Sequence, residues 1–267
     1  MKFSIITINY NNCEGLRRTL ESVVNQTCHD FEYIVIDGGS TDGSKELIEQ
    51  YADRIDYWVS EPDKGIYNAM NKGIAVAKGE YCNFMNSGDT FVDSGVLEHL
   101  ILKMNDSDVI AGRTHAVSKT GTGFETLYIM APPQDITAKF FIKGTLNHQA
   151  TFIKTKLLKE NNYREDLKIV SDWAFFFDVL ILGQASYQRV ELDICNYDMQ
   201  GISSSVNLDD ERRKYLHTVF TPLMADYFDD RNVLEEILYN WGEDTKCYKI
   251  ATAFCLWLNK VRSLIKK

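Results

Sequence analysis

Apolar residues in the first hundred positions fall into short β-branched runs separated by stretches with helical spacing. Phe3 to Ile8 (FSIITI) predicts a strand, and Leu16, Leu20, Val23 and Val24 then recur on one face of a helix. Phe31 to Asp37 (FEYIVID) predicts a second strand, ended by GGSTDGS, with Leu47, Ile48 and Tyr51 forming the next helical face. Ile55 to Ser60 predicts a third strand, ended by EPDKG, and Ile66, Ala69, Met70, Ile74 and Ala77 follow at helical spacing. Tyr81 to Asn86 (YCNFMN) is the fourth. Strands alternating with helices of this length predict a parallel sheet joined by right-handed crossovers. Ligands of such sheets bind outside the carboxyl ends of the strands. That rule singles out four loops, NYNN, DGGSTDG, EPDKG and NSGD, all polar or glycine-rich.

Beyond Gly112 the pattern changes. RTHAVSKTGTGFETLYI predicts a β-hairpin with a glycine-rich tip, and His148 to Ile153 another strand. Val170 to Gly183 is a strongly apolar helical stretch, Ala185 to Asp198 alternates, and the chain from about Leu208 is helical and charged in pattern. No internal repeat or low-complexity linker interrupts it. The expected organisation is an α/β domain over residues 1–205 with a helical extension over 206–267.

Composition narrows the function classes. Apolar content of 45% and charged content of 25% over 267 residues describe an ordinary globular chain. A formal charge of -9 argues against a general nucleic-acid binder, which needs clustered Lys and Arg. The six cysteines show no CxxC spacing and several sit in apolar runs, so reduced thiols and a cytoplasmic location are expected. No signal peptide precedes the first strand, and no stretch has the roughly 20 apolar residues of a spanning helix. Near the C-terminus Ile250, Phe254, Trp257, Leu258, Val261 and Ile265 share a helical face beside Lys249, Lys260, Arg262, Lys266 and Lys267. That face suits peripheral contact with anionic lipid on the inner face of the cytoplasmic membrane, or equally packing on the body of the protein or a second subunit.

Two common phosphate grips are missing. NYNNCEG after the first strand lacks the glycine-rich turn of a dinucleotide fold, and no GxxxxGK[ST] loop occurs. A diphosphate can still be neutralised by a divalent cation on carboxylates, and Asp89 at the tip of strand four is placed for that. An Asp closing a turn after Gly is the competing reading.

Taken in order, SIITINYNN, ESVVNQTCHDFEYIVIDGGSTDGS, EPDKGIYNAMNKGIAVAKGEY and NSGD resemble family 2 glycosyltransferases with the GT-A fold, in the branch that assembles bacterial cell-surface polysaccharide. The resemblance implies a Rossmann-like, mainly parallel sheet with flanking helices, a nucleotide-diphospho-sugar donor (UDP being commonest among relatives) and a divalent metal, Mg²⁺ or Mn²⁺. It further implies inverting transfer to a hydroxyl of a glycan or lipid-linked acceptor. By position, Asn9, Tyr10 and Asp37 would hold the nucleobase, although an Asp before Gly-Gly-Ser also caps turns. Asp63 and Lys64 would line the donor pocket, Lys64 facing the diphosphate or sugar, or lying solvated on the surface. Asn71 matches a family Asn, while Met70 stands where many relatives carry an Arg, a cation that Lys64 or Lys72 would replace. Asn86 and Ser87 belong to the donor loop, and Asp89 would be the metal ligand although the acidic neighbour of the family motif is absent.

Asp172 in VSDWAFF matches the family's catalytic carboxylate, with an N-cap as its competing role. His148 would hydrogen-bond acceptor or diphosphate, or serve structure alone. Two other classes stay open: a catalytically impaired nucleotide-sugar or glycan binder, because the metal motif is reduced, and a sugar nucleotidyltransferase, which lacks its usual basic glycine-rich loop here.

Overall fold

The computed structural model describes residues 1–120, 123–199 and 209–219. The chain divides into two compact units, Met1–Leu208 and Asp209–Lys267. In the second unit the described element is the helix Asp209–Val219; the amphipathic segment read at 250–265 lies outside the described residues.

In the first unit β1 (Phe3–Asn9) is buried at every position. Helix α1 (Cys13–Val24) follows, then β2 (Phe31–Asp37), α2 (Ser44–Gln50), β3 (Tyr57–Ser60), α3 (Ile66–Val76) and β4 (Tyr81–Phe84). These four strands lie parallel in the order β3-β2-β1-β4. Being covered on both faces, β1 and β2 read as unbroken apolar runs. Phe3, Ile5, Tyr33 and Val35 pack with Leu16, Leu20 and Val23 of α1 in one buried cluster. The register pairs Asn9 with Asp37 and Asp37 with Ser60, so three polar strand ends stand in a row.

The second half is mixed. Short β5 (Thr90–Phe91), α4 (Val96–Lys103), the long β6 (Val109–Thr120) and β7 (Gly123–Met130) lead to α5 (Ala138–Lys143), β8 (Thr151–Lys154), α6 (Thr155–Glu160), α7 (Ser171–Phe177) and β9 (Tyr187–Asp198). Strands β6 and β7 form the expected hairpin. Strand β8 runs antiparallel to both β4 and β6, and β9 pairs parallel with β6 and antiparallel with β5. After Phe177 the α7 chain widens into a π-type turn, Asp178–Leu182.

One local expectation changes. His148 does not begin a strand: His148–Ala150 is a 3₁₀ turn and β8 starts at Thr151. Asn83 explains it, because its amide donates to the carbonyls of Gln149 (3.0 Å) and Thr151 (3.1 Å), while the Thr151 hydroxyl donates to Asn147 O (2.7 Å). These side-chain bonds draw the segment into a turn beside β4.

Candidate active site

The row of strand ends builds the first corner. Asp37 is fully buried. Its Oδ1 accepts from Asn9 Nδ2 (2.8 Å) and Ser40 Oγ (2.5 Å), and its Oδ2 from Ser40 N (2.9 Å) and Ser60 Oγ (2.6 Å). Burial pushes this carboxyl up, but the four hydrogen bonds outweigh it and hold the pKa below the ordinary value. The turn-capping reading of Asp37 therefore describes its contacts. Its neighbours are more accessible: Tyr10 is 68% exposed. A Cβ on Gly38 would lie 2.6 Å from Asp63 Oδ2 and 3.1 Å from Tyr10 Cδ2. A side chain at Gly38 would force the Asp63 carboxylate to shift, so glycine there lets EPDKG lie close against the β2 loop. Asp63 Oδ1 takes the Gly65 N–H (2.9 Å) and so shapes its own turn.

The NSGD loop is fastened from α1. Thr19 Oγ1 accepts from Gly88 N (3.0 Å) and donates to Asp89 O (2.7 Å). Asn12 Nδ2 donates to Ser87 O (3.1 Å), and Ser87 Oγ donates back to Asn12 O (3.1 Å). Gly88 turns the chain at φ 110°, a conformation that favours glycine. The result aims Asp89 inward, 5% exposed, where Oδ1 accepts from Asp198 N (3.0 Å) and Oδ2 from Gln149 Nε2 (3.0 Å). Burial is the largest effect on this carboxyl and pushes its pKa up to about 6.

The third group joins that loop to α7. Asn86 Nδ2 lies 2.9 Å from His148 Nε2, and His148 Nδ1 lies 3.2 Å from Asp172 Oδ2. Asp172 Oδ1 receives Trp173 N (2.8 Å) and the Tyr67 hydroxyl (3.1 Å), which also donates to Ile169 O (2.5 Å). Burial raises the Asp172 pKa, yet the hydrogen bond from His148, with the Trp173 amide and the Tyr67 hydroxyl, outweighs it and holds the pKa below the ordinary value. An ionised carboxylate is what proton abstraction needs. The N-cap role is not its job, since Val170 precedes the helix and the carboxylate faces His148 and Tyr67.

Two sequence candidates stand apart from these groups. Asn71 binds the backbone of Tyr163 on both sides, donating to its carbonyl (2.8 Å) and accepting its N–H (3.0 Å). Lys64 is exposed, its own N–H donating to Asn68 Oδ1 (3.1 Å). Met70 is fully buried in the core, and Lys72 pairs with Glu61 at 2.8 Å. Sequence reading missed Tyr67, Thr19, Gln149 and Asp198. Gln149 directly follows His148 and Asp198 ends an alternating run, but only the folded sheet brings them to Asp89.

As a metal centre the described residues offer an oxygen ligand, Asp89, and no group of three His, Cys, Asp or Glu side chains gathers among them. That donor set fits a hard cation which takes most of its shell from water and substrate phosphates.

The sequence profile described as Glycosyl transferase family 2 matches residues 4–178. The chain belongs to this family. An uncharacterised glycosyltransferase of Mycobacterium tuberculosis is 32% identical over 208 residues, 75% of this chain and 76% of its own. A cholesterol galactosyltransferase of Borreliella burgdorferi is 27% identical over 242 residues, 83% of this chain and 67% of its own. Among solved structures, residues 1–349 of S. aureus TarS in complex with UDP-GlcNAc superpose with a TM-score of 0.63 at 20% identity. That match covers 80% of this chain and 65% of the TarS fragment, and the likeness establishes the GT-A type of fold. This family 2 member is a transferase, with its polar residues at the carboxyl ends of the parallel strands. No helix among its described residues is long and apolar enough to cross a membrane.

Proposed function

We propose that the protein transfers a sugar, with inversion, from a nucleotide-diphospho-sugar to a hydroxyl of a glycan or lipid-linked acceptor. The observation that carries this reading is the chain Asn86–His148–Asp172, which sets a carboxylate kept ionised beside the loop that ends in Asp89. A buried structural ion pair would need no link to a strand-end loop; a base that must stand next to the donor does.

The nucleoside end of the donor is assigned to the β1 and β2 corner. Tyr10 offers an exposed ring for stacking and Asp63 a carboxylate acceptor. Asp37 ties the neighbouring strand ends together through Asn9, Ser40 and Ser60.

Asp89 is the residue assigned to hold Mg²⁺ or Mn²⁺, and a cation bound there would neutralise charge on the departing diphosphate. The residues around it keep the carboxylate aimed: Gln149 and the Asp198 amide fix its oxygens, and Thr19 fixes its backbone. Asp172 takes the proton of the acceptor hydroxyl as that oxygen attacks the anomeric carbon from the face opposite the leaving diphosphate. The names of the galactosyltransferase relative and of TarS motivate a lipid-borne acceptor and a UDP-sugar donor.

Thermal melting against UDP-, GDP- and dTDP-sugars, with and without Mn²⁺, tests the reading, because a ligand that binds the native state raises the melting temperature by mass action. A metal-dependent rise with at least one donor, lost in Asp89→Ala, is expected. No rise with any of them would overturn it.

A further inference from the structure

The role first expected for His148, a hydrogen bond to acceptor or diphosphate, does not match where its ring nitrogens point. Each already faces a protein partner, Asn86 on the Nε2 side and Asp172 on the Nδ1 side. An ionised carboxylate can only accept, so Nδ1 carries the hydrogen. The neutral ring then has a bare Nε2, which the Asn86 amide matches by donating. The ring is held edge-on to Phe84, with centroids 6.4 Å apart and planes at 86°. Asn83 anchors the turn behind it through the carbonyls of Gln149 and Thr151. His148 is 14% exposed and Asp172 16%, so both lie mostly out of water.

We propose that His148 is a positioning residue: Asn86 of the donor loop fixes it in the Nδ1–H form, and that hydrogen aims and holds the Asp172 carboxylate toward the acceptor. The inference rests on Asp172 being the base of the reaction proposed above. It adds a physical link from the loop that handles the donor to the group that deprotonates the acceptor.

The groups that face Asp172 are His148 from the turn before β8, Tyr67 from α3 and Tyr163 from the segment before α7. Of the three, His148 contributes most to keeping the carboxylate ionised. Two near-isosteres separate its two contacts. In His148→Asn the side-chain amide stands where Nδ1–H stood and still reaches Asp172; in His148→Gln it stands near the Nε2 position and reaches Asn86 instead.

Using the full chain and the donor found by the melting panel, we expect His148→Gln to lower kcat by at least about tenfold with donor KM changed by less than about twofold. The acidic limb of its pH–rate profile should move up by about one pH unit. His148→Asn should recover the limb and most of kcat. Equal losses in both variants with an unmoved limb would reduce His148 to a structural role and overturn the proposal. A second readout does not depend on turnover: ¹⁵N NMR of the imidazole at about pH 8 should show an Nδ1–H ring that loses this preference in Asp172→Asn. An Nε2–H or doubly protonated ring there would refute the assignment even if no donor were turned over. An Nδ1–H ring in a protein that turns over no sugar nucleotide would instead fault the transferase reading.

Discussion

Replacing Asp89 with Asn should make the ligand-free protein more resistant to unfolding above neutral pH while abolishing its metal response. The carboxyl is buried, and its pKa rises from 3.8 to about 6 on folding. The native state therefore holds this proton more tightly than the unfolded chain does. The stability associated with it is complete below 3.8 and is lost as pH climbs through about 6. The whole difference is worth about 3 kcal/mol, of which about 1.4 kcal/mol disappears between about pH 5 and about pH 8. Asn resembles the protonated carboxyl. Its oxygen keeps the Asp198 amide, and Gln149 can rotate to present its own oxygen to the new NH₂. Melts of both proteins in EDTA should show the variant gaining about 3–6 °C on wild type between those pH values. The histidines are common to both and cancel in the comparison. Mn²⁺ with nucleotide should then stabilise wild type alone, since a cation favours the ionised carboxylate. A difference that stays flat with pH, or a variant that falls behind wild type at pH 8, would refute the account of Asp89.

Other substitutions probe the scaffold of the site. Thr19→Val keeps the shape but strands the buried Gly88 N–H, which should cost about 1–3 kcal/mol in urea unfolding and loosen the NSGD loop enough to weaken metal-dependent nucleotide binding. Gly38→Ala drives a methyl into Asp63 and Tyr10, so calorimetry should show nucleotide affinity reduced about tenfold or more, with the far-UV spectrum of the fold retained.

Much of this was legible in the chain because the parallel half of the sheet writes its own pattern. Residues such as Ile5, Ile6, Ile34 and Val35 are buried whichever face they occupy, so their runs mark β1 and β2 without ambiguity. The four loops at the strand ends followed from that order and pointed to Asp89, whereas Asp37 and Asp172 were singled out by the family resemblance; all three carboxylates are hydrogen-bonded by protein groups in the structure. What stayed hidden depends on contacts distant in sequence. Nothing local reveals that Tyr67 reaches Asp172, 105 positions away, or that Asp198 meets Asp89 across 109. His148 resisted for another reason: the alternation HQATFI fits a strand, and side-chain bonds from Asn83 on the neighbouring strand override it. Asn71 looked like a pocket residue because it matched the family motif, whereas here its amide secures Tyr163.

If Asp172 is the proposed base, its loss should stop transfer and leave the donor bound. Release of nucleoside diphosphate from the donor that binds, measured for wild type and Asp172→Asn with acceptor extract present, tests it most directly. Donor affinity should be unchanged and turnover reduced by about 10²- to 10⁴-fold in the variant. Wild-type turnover in Asp172→Asn, with the donor bound as before, would contradict it.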